Sequence, residues 1–172
     1  MRRGGGIAAA RPRPFARCDE ATPIEVRLAA GALSSLPLAA VLNGGNLAAI
    51  GSEADGFELI QFREAELIGA GLWRLAGLLR GQGGTGDLAA RGHAAGARFV
   101  RLNAATPLFA LESGEIGLLR RLRAGPLGAA YDAGSFTDRA FRVAGRGLVC
   151  LAPVHLAGRR DAAGNVALAW IR

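Results

Sequence analysis

The strongest constraint on this chain is the way glycine interrupts short alternations of apolar and polar residues. Of its 172 residues, 26 are glycine, and between them stand segments such as Ile24-Glu25-Val26-Arg27-Leu28 and Ile60-Gln61-Phe62-Arg63. Side chains of an extended strand point alternately to opposite faces, so a period of two marks a strand with one face buried. A helix tolerates such punctuation poorly, at about 0.8–1 kcal/mol for each interior glycine. That cost decides residues 64–81, where Leu67, Leu72, Leu75, Leu78 and Leu79 could otherwise line a helix. Gly69, Gly71 and Gly77 oppose it. Two strands turning near Gly69–Gly71 fit better and place Trp73, Leu75, Gly77 and Leu79 on one face.

The same reading extends along the chain. Asn43-Gly44-Gly45-Asn46 is turn chemistry, because Asn and Gly tolerate positive φ. Residues 81–86 form a glycine-rich loop, and Asp87 is suited to cap a helical turn through Arg91. Further strands are expected at 98–102, 116–122, 141–143, 148–151 and 154–156. Asp161 to Asn165 reads as a hairpin loop leading into Val166-Ala167-Leu168-Ala169-Trp170. The fold class expected is mainly β: an antiparallel barrel or sandwich of short strands with one or two short helical turns.

Charge bears on organisation more than on ligand. All 21 basic residues are arginine, and five of them (Arg2, Arg3, Arg11, Arg13, Arg17) precede the first acidic residue, while the remaining 155 residues carry 16 arginines against 14 carboxylates. Residues 1–20 are therefore expected to be a flexible basic leader, and 21–172 a single β-rich domain. No run of 18 apolar residues occurs, so no membrane insertion is expected. Cys18 and Cys150 stand outside any metal-binding spacing and read as free thiols.

A search for chemistry returns structural roles. The loop at 81–86 lacks the lysine that a phosphate cradle requires, and no carboxylate follows it at dinucleotide-binding spacing. No cofactor is expected. His93, in a Gly/Ala-rich stretch, reads as exposed, and His155 as a hydrogen-bonding residue of a strand. No serine sits in a G-x-S-x-G turn. Glu64 and Glu66 share a strand face at a spacing that acid and base could use, but a solvated face is the simpler reading. Arg120, Arg121 and Arg123 lack a nucleic-acid motif around them, and no nucleic-acid partner is expected. The chain reads as a non-enzyme.

Several stretches carry a resemblance in a fixed order: Leu42-Asn43-Gly44-Gly45-Asn46 through Gly51, Phe57 to Leu67, Trp73 to Thr85, Gly96 to Val100, Ala152 to Leu156, and Leu168 to Arg172. The segment Leu78-Leu79-Arg80-Gly81-Gln82-Gly83-Gly84-Thr85 is the most specific. From about Ile24 to its end, the chain resembles the C-terminal region of the baseplate multidomain, or host-specificity, tail protein of gene transfer agents and related tailed phages. The resemblance implies an architectural role at a tail tip, near where tail fibres attach. The implied partners are tail, baseplate and fibre proteins. The implied location is the bacterial cytoplasm during assembly and then the tip of a phage-like tail.

No catalytic residue carries over. The motif positions are Glu58, Gln61, Phe62, Trp73, Leu79, Arg80, Gly81, Gln82, Thr85, Pro153, His155 and Trp170, expected to lock the fold or form an interface. Within that set, Arg80 is expected to clamp carbonyls of the glycine loop, with Gln82 and Thr85 adding side-chain hydrogen bonds, and Glu58 and Gln61 to lie on opposite strand faces. Relatives of this kind are much longer, so the chain reads as a piece of a larger protein. The alternative is a carbohydrate- or cell-surface-binding β-module that uses Trp73, Trp170 and Tyr131. A third possibility, a cell-wall hydrolase acting through Glu64 or Glu66, lacks the apolar pocket that would separate their pKa values.

Overall fold

Most of the expected alternation is realised as pleated strand. The computed structural model describes residues 5–7, 10, 18–107, 109–132, 134–149 and 154–171. Its strands are β1 (Gly5–Gly6), β2 (Cys18–Asp19), β3 (Ile24–Arg27), β4 (Leu47–Ser52), β5 (Gly56–Gly69), β6 (Leu72–Gln82), β7 (Arg98–Arg101), β8 (Leu119–Ala124), β9 (Thr137–Arg142), β10 (Val154–Arg160) and β11 (Val166–Ile171). Two short helices, α1 (Leu38–Leu42) and α2 (Gly86–Arg91), complete the regular structure with single 3-10 turns at Ser113–Glu115 and Arg146–Leu148. The fold is mainly β and antiparallel, as expected.

Seven strands form one sheet in the order β1-β7-β4-β5-β6-β2, with β3 also paired to β6. The long β5–β6 hairpin is its spine, and it turns where Gly69 and Gly71 stand, as their spacing predicted. Inward-facing side chains make the core: Ile24 and Val26 from β3, Ala48 and Ile50 from β4, Ile60 and Phe62 from β5, Leu75 and Leu78 from β6, and Phe99 from β7. Phe62, Phe99, Ile50 and Ile60 are fully buried, each contributing about 1.5–3 kcal/mol relative to exposure.

Three expectations need correction. The basic leader is not separate from the domain where it is described. Gly5 and Gly6 pair with Phe99 and Arg98, Ile7 is buried and bridges Val26, and Ala10 exchanges two backbone hydrogen bonds of 2.8 Å with His93. Ile7 thus touches β3 while its own segment pairs with β7, so the segment reaches across both margins of the sheet. Among the described residues only that single bridge links the margins, and the sheet they form is not a closed barrel. Burial along β6 also does not follow strict alternation. It runs Leu75, Leu78, Arg80, because Gly77 adopts φ +60 and resets the pleat, leaving Leu79 half-buried. Trp73, before the reset, stays in phase with Leu75 and is half-buried at the end of the core. Lastly, 148–151 is not a strand as far as it is described: Leu148 closes a 3-10 turn, and residues 150–153 lie outside the described residues.

Beyond residue 103 the chain changes character. Among the described residues β8 pairs only with β9, and β10 only with β11, as two separate two-stranded sheets. Leu119, Phe141, Leu156, Val166, Leu168 and Trp170 are all exposed there. The β8–β9 part is tied to the main sheet by Arg146 to Asp87 at 2.8 Å and Arg139 to Glu53 at 3.3 Å. It also approaches at Gly84, where a Cβ would lie 2.1 Å from the Arg146 carbonyl oxygen.

Candidate functional site

The motif residues converge at the open end of the β5–β6 hairpin. Glu58 of β5 is fully buried, and an isolated carboxylate there would be costly to ionise. Its four acceptor positions are all filled. Oε1 accepts from Arg80 Nε at 2.6 Å and from the Gly81 N–H at 2.9 Å, and Oε2 accepts from a terminal nitrogen of Arg80 at 2.6 Å and from His93 Nε2 at 2.8 Å. Burial pushes the Glu58 carboxyl up, but the hydrogen bonds from Arg80 and His93, the Arg80 charge and the Gly81 N–H outweigh it. The carboxyl is held below its ordinary value of 4.5. This is a bidentate, charge-assisted pair in a shielded setting.

Arg80 therefore does something other than clamp loop carbonyls. The Gly77 reset turns it inward, and its guanidinium meets Glu58 instead. His93, expected to be exposed, is buried against the same carboxylate. Thr85 and Gln82 behave as expected. The Thr85 hydroxyl donates to the Gln82 carbonyl at 2.7 Å and accepts from the Leu59 N–H at 3.0 Å, while Gln82 Nε2 donates to the Arg80 carbonyl at 3.2 Å. Gln61, also buried, donates from Nε2 to the carbonyls of Val41 and Gly45, fastening α1 over β5. Thr85, not Asp87, occupies the cap position of α2; Asp87 lies in the first turn and accepts from Arg91 and Arg146.

The remaining motif positions do not join this cluster. Phe62 is in the core, Leu79 faces Cys18 of β2, and Trp73 packs against the core near the far turn. Pro153 lies outside the described residues. His155 is exposed with φ +54 in an irregular stretch of β10, and Trp170 is exposed on β11. Glu64 and Glu66 are solvated and paired loosely with Arg63 and Arg74 at 3.7 and 3.6 Å.

Two of the concavities among the described residues stand out. One, of about 400 Å³, is lined by Gly51, Ser52, Asp55, Leu88, Arg91 and His93 among others. Ser52 Oγ donates to Asp55 there at 2.6 Å, and His93 is already bonded through Nε2 to Glu58. The other, of about 340 Å³, is walled mainly by apolar groups of Leu111, Ile116, Phe141, Val143 and Leu148. What the Glu58 cluster does chemically is hold β5, β6 and the 92–97 loop in one register.

A family model described as Rcc01698-like, C-terminal matches residues 4–100. The chain belongs to that family. Rcc01698, from which the family takes its name, is a gene transfer agent protein. The matched span coincides with the seven-stranded sheet and takes in the described leader residues, whereas residues 101–172, with Pro153, His155 and Trp170, fall outside it. No curated protein matches the chain. His93 is the motif residue that sequence reasoning missed. Its bond to Glu58 spans 35 residues, so no local pattern in the sequence marks it.

Proposed function

We propose that this chain is a non-enzymatic, architectural domain of a gene-transfer-agent-like tail. It sits in the baseplate as part of the hub or host-specificity protein, and contacts tail fibres and neighbouring baseplate proteins. The observation that carries this reading is the family match over the whole main sheet. Two features support it. The polar motif residues are consumed by one another, with Glu58 accepting four hydrogen bonds. The part beyond the sheet offers exposed leucine, phenylalanine and tryptophan to neighbours, the composition of a protein contact. Such a protein is made in the bacterial cytoplasm and ends at the tail tip.

The test is to mix the purified chain with the fibre and baseplate proteins of a gene transfer agent tail and follow complexes by sedimentation. A stable complex with one of them is the expected result. Absence of any complex, where a full-length relative forms one, overturns the reading. A glycan-binding role has one observation in its favour, the exposure of Tyr131 and Trp170. Binding on a glycan array that Trp170→Ala abolishes would favour it.

A further inference from the structure

The chain divides by charge as well as by fold. Residues 18–100 carry 6 arginines against 9 carboxylates, a net −3, and residues 101–172 carry 10 arginines against 5, a net +5. On the outer face of the main sheet, Glu25 and Glu66 share Arg74 at 3.5 and 3.6 Å, and Glu20 and Glu64 share Arg63 at 2.7 and 3.7 Å. Four carboxylates thus stand over two guanidiniums, while nearby Arg27 is turned to the Ala70 carbonyl.

The β10–β11 hairpin is the complement. Arg160 lies opposite Val166 and Gly158 opposite Leu168, so Arg160, Val166 and Leu168 share a face, with Trp170 two residues further along it. Leu168 lies over Gly158, where a Cβ would be 3.4 Å from its Cδ2. Neither Arg159 nor Arg160 has an ion-pair partner among the described residues, and every side chain described in this hairpin is exposed. A two-stranded sheet with both faces in water is marginal alone. Arginine and tryptophan are residues in which interface hot spots are enriched.

We propose that the β10–β11 hairpin of one copy docks on the carboxylate-rich outer face of β3, β5 and β6 of a second copy. The contact pairs Arg160 with Glu64 and Glu66 and covers Val166, Leu168 and Trp170. Among the described residues no ion pair joins these two patches, so a contact between copies satisfies both. Hairpin-to-hairpin pairing would bring like charges together. Because the two patches differ, the contact is head-to-tail and generates a ring or an open row of subunits.

Sedimentation velocity of the full chain tests this over a concentration series. The expected result is a species at least twice the monomer mass at low salt, returning to monomer at about 0.5 M salt, where exposed charges are screened. Arg160→Glu, and separately Glu64→Arg with Glu66→Arg, should each give monomer with an unchanged circular dichroism spectrum. Mixed one to one, the two variants should assemble again, since each supplies the charge the other repels. A wild-type chain that stays monomeric at low salt overturns the proposal. So do variants that assemble as the wild type does. If the monomer instead shifts to a heavier species only with duplex DNA, the arginines serve nucleic acid and the proposal also fails.

Discussion

At the scale of single residues, the buried carboxylate governs. Removing Glu58 leaves the Arg80 guanidinium shielded and deprived of its bidentate partner, and such a loss costs about 3–5 kcal/mol. Glu58→Ala is expected to lower unfolding free energy in urea by that amount, whereas exposed Glu64→Ala should change it by less than about 0.5 kcal/mol. Equal, small effects would mean that the cluster does not hold the sheet. The pH dependence follows from the depressed Glu58 carboxyl. Its contribution to stability is fully present above the ordinary value of 4.5 and is lost as pH falls through the lower folded-state value. The urea midpoint of the wild type should therefore drop more between pH 6 and pH 3.5 than that of Glu58→Gln.

Single elements show how much of the fold was legible. The β5–β6 hairpin could be read because Gly69 and Gly71 mark a turn and alternation flanks it. Gly77 was read only as a strand glycine, since composition does not distinguish a pleat reset from an ordinary position. Its φ of +60 turns Arg80 inward, and that is why the guanidinium contact was misplaced. Helix α1 went unread because five residues carry no measurable period. The Glu58–His93 bond spans 35 residues and exists only through sheet topology. Gly77→Ala would combine that backbone strain with a Cβ 2.9 Å from Arg63 Cβ. Thermal unfolding should show a loss of more than about 1 kcal/mol. Gly114→Ala, which meets open space at ordinary φ, should be near neutral.

For the whole molecule, the main sheet and the part beyond it should separate in stability. The contiguous core cluster comes from residues 7–99, and the later hairpins leave their apolar side chains in water. Hydrogen exchange is expected to protect amides of β4, β5 and β6 most and those of β10 and β11 least. A chain ending at Asn103 should still unfold cooperatively by circular dichroism. Loss of that transition would show that the later residues are integral to the core. This division also agrees with the extent of the family match, which ends at residue 100.

The segment from Gly5 to Ala10 has its partners at Val26 and at 93–99. Closing a loop of some ninety residues is slow, because its entropic cost precedes any gain. During synthesis at roughly 5–20 residues per second, Gly5 and Gly6 wait about 5–20 seconds before β7 exists to receive them. The strand that stands first in this sheet's chain order is thus completed only once its last strand, β7, has been made, although Ile7 has its bridge partner Val26 much sooner.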